Sequence, residues 1–188
     1  LFMKKIVFVS GTYGGKIDTF LFKEILKDFD IVYFPYDTYL TETIEQSALK
    51  LNNFIKKLEL KRNEKVGIIS FSAGGIIAEY YLKFIDDTKV SKIVTVCSPF
   101  RGSWLARIYF KNRKGLNELR TNSIILKKIR EKKLNRKIKE KNFWCLFDPI
   151  VFGTSGKGDN PEHTLFFLHT VIQFWPPLIY RIQKFLNE

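Results

Sequence analysis

At 188 residues, 45% of them hydrophobic and 15% aromatic, the chain can close one hydrophobic core, which excludes a disordered segment and makes a single domain over 1–188 the expectation. Its two cysteines, Cys97 and Cys145, exclude a disulfide scaffold; both lie in apolar runs and are expected to be reduced core thiols, with one bridge between neighbouring strands as the alternative. The net charge of +13 is concentrated, since residues 104–141 hold fourteen Lys or Arg against three Glu and so supply eleven of the thirteen charges.

In chain order, the apolar run after Lys4-Lys5 is shorter than the roughly 7–15 residues of a secretory leader and reads as a strand over 5–9. A glycine-rich turn, Ser10 to Gly15, leads to a helix near 18–28 and a strand over 31–34. Ile44, Ala48, Leu51, Ile55 and Leu58 then recur at spacings of three and four, predicting a helix over 41–59 that starts at Thr41. A strand over 65–70, a helix over 73–85 and a strand over 92–97 follow, and the basic segment, 103–141, reads as a largely helical insertion. Beyond it come strands over 142–147 and 164–168 and a helix over 177–187. The apolar stretch near the end is broken by His169, Gln173 and Pro176-Pro177, short of the ~20 residues of a membrane span, so a cytoplasmic location is expected.

Strands that are mostly apolar throughout, alternating with helices, predict the α/β class: a mostly parallel six-stranded sheet covered by helices on both faces. Within that frame Ser72 stands out, because Ser70-Phe71-Ser72-Ala73-Gly74-Gly75 falls at a strand-to-helix junction. A serine on such a turn needs small neighbours, as the backbone is strained and the helix passes close to the sheet. The plainer reading is that Ser72 caps the helix. Acyl transfer also needs NH donors for an oxyanion, and Thr12 in the glycine-rich turn, with Ala73, would supply them. The same turn lacks the spacings of a phosphate-binding loop. As base, His169 follows the last predicted strand, whereas His163 precedes it in the turn 160–163. As orienting acid, Asp148 follows the fifth predicted strand, with Asp159 as runner-up. The order Ser, Asp, His is that of α/β-hydrolases. Neither histidine belongs to a cluster with metal-ligand spacing, so no metal or other cofactor is expected.

Over most of its length the chain resembles the small bacterial lipases of the α/β-hydrolase superfamily. The residues that carry this are the turn 10–15, the segment 70–75, Cys97 to Ser103, Leu116 to Leu119 with Asn122-Ser123, Asp148 to Val151, and His169-Thr170. The resemblance departs at Ser10, where the family usually has histidine, and at Ser70, in place of the first glycine of G-x-S-x-G. It implies a minimal α/β-hydrolase acting on an acyl ester or lipid, with the insertion as a partial lid.

Ile125, Leu126, Ile129, Leu134 and Ile138 fall roughly on one face of a helix drawn over 123–141, with Lys and Arg elsewhere. Such a helix could lie on an anionic membrane surface, making the protein membrane-peripheral, or pack its apolar stripe on the domain. No nucleic-acid fold accompanies the charge, so a nucleic-acid partner is not expected. Three functions remain open: a carboxylic ester hydrolase, an acyltransferase or thioesterase with the same triad, and a non-catalytic binding module.

Overall fold

The computed structural model describes residues 4–108, 112–164, 169 and 172–188. Six strands form one parallel sheet: β1 (Lys4–Val9), β2 (Phe29–Tyr33), β3 (Val66–Phe71), β4 (Val90–Val96), β5 (Lys139–Trp144) and β6 (Pro161–His163), in the spatial order β2-β1-β3-β4-β5-β6. Parallel neighbours need crossovers, supplied by α1 (Lys16–Ile25), α2 (Ile44–Lys57) and α3 (Ala73–Phe84). Between β4 and β5 lie α4 (Leu105–Ile108), α5 (Lys114–Glu118) and α6 (Ile124–Glu131), and α7 (Pro176–Asn187) closes the chain.

The period of two along each strand divides the core. Val7, Val9, Ile68 and Ile93 face α2, α3 and α6, whereas Ile6, Phe8, Ile69 and Val94 face α1 and α7. β3 is buried from end to end, which is why it reads as an apolar run but for Ser70.

α1, β2, β4 and β5 each lie one to three residues from the bounds expected, and three further differences have a local cause. The second helix starts at Ile44 rather than 41, because Asp37 accepts from both the NH and the hydroxyl of Thr41. Thr43 and Gln46 then form the capping box, each side chain bonding the other's backbone NH at 3.1 and 3.0 Å. The helix drawn over 123–141 is only α6; the chain turns at Asn135, whose carbonyl accepts from Ile138 NH (2.9 Å), and Lys139–Lys141 already belong to β5. The insertion therefore ends before 139. Its apolar stripe packs on the domain: Leu126, Ile129 and Ile138 are buried in the core, with Ile125 and Leu134 against them. Finally, His163 lies in β6, paired with Trp144, instead of in a turn before the last strand. Of the strand expected over 164–168, residues 165–168 lie outside the described residues.

A buried ionic network ties α6 to the sheet. The Lys83 ammonium donates to the Ile129 carbonyl (2.9 Å), pairs with Glu79 (2.9 Å) and reaches Asp159 (3.2 Å), which also takes Lys133. Glu140 of β5 joins the same cluster beside Glu79. No helix among the described residues is long and apolar enough to cross a membrane.

Candidate active site

β3 ends at Phe71 and α3 begins at Ala73, so Ser72 carries the whole change of direction, with φ 48° and ψ −123°. That conformation is costly for a residue with a β-carbon and persists only where the surroundings hold it. Here Ser72 NH donates to the Val96 carbonyl (2.9 Å) and Gly75 NH to the Ser72 carbonyl (3.0 Å). Although Ser72 occupies the N-cap position of α3, its hydroxyl makes no capping bond, which removes the plainer reading of this serine.

The small neighbours are required by contact. A β-carbon at Gly74 would overlap the carbonyl oxygens of Val9 and Ser10, and one at Gly75 would overlap the Ser98 hydroxyl. Ser70, in place of a glycine, is accommodated because its buried hydroxyl donates to the Val94 carbonyl at 3.0 Å.

Asp148 and His169 meet. The carboxylate is buried, its Oδ1 accepts from the NH groups of Ile150 and Val151 (2.8 Å each), and its Oδ2 lies 2.5 Å from His169 Nδ1. Burial opposes the charged form, but the bond and charge of His169 and the two backbone donors outweigh it and hold the carboxyl below its ordinary value. Nδ1 is accordingly the donor, which leaves Nε2 as the proton acceptor. Asp148 lies beyond the end of β5 at Trp144, four residues on, instead of directly after the strand, since β5 begins at Lys139 and its pairing ends sooner.

The alternatives lie elsewhere. Asp159 is engaged by Lys83 and Lys133, and the His163 ring packs edge-on against Trp144, 4.8 Å between centroids.

Ser72 and His169 both line a pocket of about 520 Å³. Gly11, Thr12, Tyr13 and Gly14 form part of its wall after β1. In this turn Tyr13, at φ 61°, gives its NH to the Thr38 carbonyl (3.1 Å) and Gly14 gives its NH to Gly11 (3.1 Å). Ala73 is the first residue of α3, where an NH has no intrahelical acceptor. Leu105, Ala106, Leu116 and Leu119 of the insertion, with Ile150 and Val151, make much of the rest apolar.

No family model matches the sequence, and neither does any curated protein. Solved structures do match. The mature lipase BlEst2 of Bacillus licheniformis superposes with a TM-score of 0.75 at 16% identity, over 96% of this chain and 92% of that one. The monoacylglycerol lipase of Paleococcus ferrophilus superposes with a TM-score of 0.71 at 13% identity, over 97% and 93%. The chain has the α/β-hydrolase fold. Aspergillus fumigatus lipase B shares it, with a TM-score of 0.72 at 16% identity; 94% of this chain is covered, yet it spans half the length of that lipase.

Seen on an α/β-hydrolase sheet, three pocket residues escape sequence reasoning. Cys97 is a free, buried core thiol, as expected, and it also lines the pocket with its donor atom within 4.8 Å of those of Asp148 and His169. Burial, together with the Asp148 charge, pushes this thiol well above its usual value, so it stays protonated, and the tight Asp148–His169 contact is a hydrogen bond, not the spacing of two ligands about an ion. Asp18 and Gln173 also line the pocket, 155 residues apart in the chain, and no local pattern joins them.

Proposed function

We propose that this protein is a serine carboxylic ester hydrolase. The observation that carries the reading is that His169, bonded to the buried Asp148, lines the same pocket as Ser72, which stands on a positive-φ turn with no capping bond. In the proposed mechanism His169 Nε2 takes the Ser72 proton as Oγ attacks the ester carbonyl, and Asp148 stabilises the imidazolium. The NH groups of Thr12 and Ala73 receive the oxyanion. Collapse of the tetrahedral species expels the alcohol, which takes its proton from His169. Water, activated by the same histidine, then releases the acid and restores Ser72. The apolar lining and the lipase names among the structural neighbours favour an acyl ester or lipid over a small polar ester.

The test is a series of p-nitrophenyl esters of rising chain length, run on the wild type and on Ser72→Ala. Turnover in the wild type and its loss in the variant are expected. Equal rates in the two proteins would refute the triad.

The basic segment belongs to this proposal as a surface attraction to anionic lipid. Lys127, Lys128, Arg136 and Lys137 are exposed, and because the apolar stripe beneath them is buried, the attraction would be electrostatic without insertion of that face.

A further inference from the structure

The pocket has two chemically different sides. In the sheet, β3 lies between β1 and β4, so the loops after those strands flank Ser72 from opposite directions. The β4 side, with the insertion, contributes Leu105, Ala106 and Leu119. The β1 side contributes Tyr13, Gly14 and Asp18, with Gln173 and Phe174 joining from the 3₁₀ turn before α7, so its polar groups stand beside two aromatic rings.

Asp18 is built into place. Its Oδ2 accepts from Gly15 NH at the start of α1 (3.0 Å) and its Oδ1 from the Gln173 side-chain amide (3.3 Å). Each carboxylate oxygen has two acceptor positions, so both retain capacity for another donor. On a pocket wall of mainly apolar atoms such a group favours a ligand that brings a hydrogen. The charge around it is equally selective. Although the chain carries +13, among the described residues lining the pocket there is no Lys or Arg. A phosphate in the alcohol half of a substrate would meet the Asp18 carboxylate with no Lys or Arg among the described lining residues to pair with, whereas a hydroxyl would donate to it.

Resting on Ser72 as an ester hydrolase nucleophile, we infer that Asp18 and Gln173 form a hydroxyl-binding subsite for the alcohol half of the substrate. The preferred substrate is then a single-chain acyl ester of a neutral polyhydroxy alcohol, its acyl chain on the insertion side and its hydroxyls on the α1 side.

The experiment compares kcat/KM for three octanoyl esters below their aggregation concentrations: monooctanoylglycerol, ethyl octanoate and octanoylglycerol phosphate. The wild type should favour the glycerol ester over the ethyl ester by about tenfold or more, the scale of one or two hydrogen bonds made to the reacting substrate, with the phosphate ester slowest. Asp18→Asn and Gln173→Met should each bring the glycerol-to-ethyl ratio within about threefold, and Asp18→Asn should narrow the gap to the phosphate ester. Because Asp18 also caps α1, the Gln173 variant keeps the test decisive if Asp18→Asn folds poorly. Equal wild-type rates on the glycerol and ethyl esters, or a preference that survives both substitutions, would overturn the subsite and leave the hydrolase standing. No turnover of any ester by the wild type would overturn the hydrolase and the subsite together.

Discussion

His169 Nδ1 and Asp148 Oδ2 lie 2.5 Å apart, and the other oxygen of the same carboxylate is held by two backbone NH groups, so the imidazole is oriented by an acid that cannot itself rotate. Asp148→Asn keeps an oxygen for Ile150 and Val151 but turns an NH₂ toward Nδ1. The ring is then driven to the tautomer with its proton on Nε2, where it cannot accept from Ser72. Ester turnover should fall roughly a thousand- to ten-thousand-fold, with the fold retained by circular dichroism. A pH titration of unfolding checks the same bond. The folded carboxyl titrates below its ordinary 3.8, so its stabilising contribution is present above that pH and is lost as pH falls through the folded value. The Asn variant should lack this part of the acid loss.

Gly74 and Gly15 make a matched pair. An alanine at 74 would collide with β1 backbone that cannot yield without breaking the sheet, and at 15 it meets nothing within 4 Å. Gly74→Ala should cost about 3 kcal/mol or more, and Gly15→Ala about 1 kcal/mol or less, by urea unfolding. Similar costs at the two positions would contradict the close approach of α3 to β1.

Glu140 gives an alkaline signature. Burial, then the nearby charges of Glu79 and Asp159, push its carboxyl up to about 8, against an ordinary 4.5. Raised folded values mean stability that is complete below the unfolded value and lost as pH climbs through the folded one. The melting temperature should therefore decline between about pH 5 and pH 8. Glu140→Gln removes one titrating group and should flatten much of that decline, leaving the variant a few degrees more stable at pH 8 and nearly equal at pH 5.

Replacing Lys127, Lys128, Arg136 and Lys137 with glutamine tests the attraction to anionic lipid. Each basic residue near such a surface contributes about 1 kcal/mol, so binding to phosphatidylserine vesicles at low salt should weaken roughly a hundredfold or more. In about 0.5 M salt the wild type should bind little better than the variant. Unchanged vesicle binding at low salt would dismiss the basic segment as a membrane contact.

What the sequence made legible is what short-range patterns encode. β3 is apolar but for Ser70 because both its faces are covered, and the small residues after Ser72 announce a helix lying against the sheet. Less legible were the places where distant partners decide. The run Lys137-Ile138-Lys139-Glu140-Lys141 suits a helix as well as a strand until β4 pairs with it, Lys92 opposite Lys139. Thr41 looks like a helix start until Asp37 captures its NH, and Asp18 reads as an ordinary first-turn acid until Gln173 arrives from near the other end of the chain.

Lys83 bears on how the insertion behaves in time. Its ammonium, buried beneath α6, holds the Ile129 carbonyl on that helix while also facing Glu79 and Asp159. Lifting α6 would strip the Ile129 carbonyl from this buried cation and uncover Leu126 and Ile129, so local opening there is costly. The amides of Leu126 to Arg130 should accordingly exchange with deuterium in step with those of β3. Movement of the insertion at the pocket is then left to Leu105, Ala106, Leu116 and Leu119, lining residues it supplies ahead of that fixed helix.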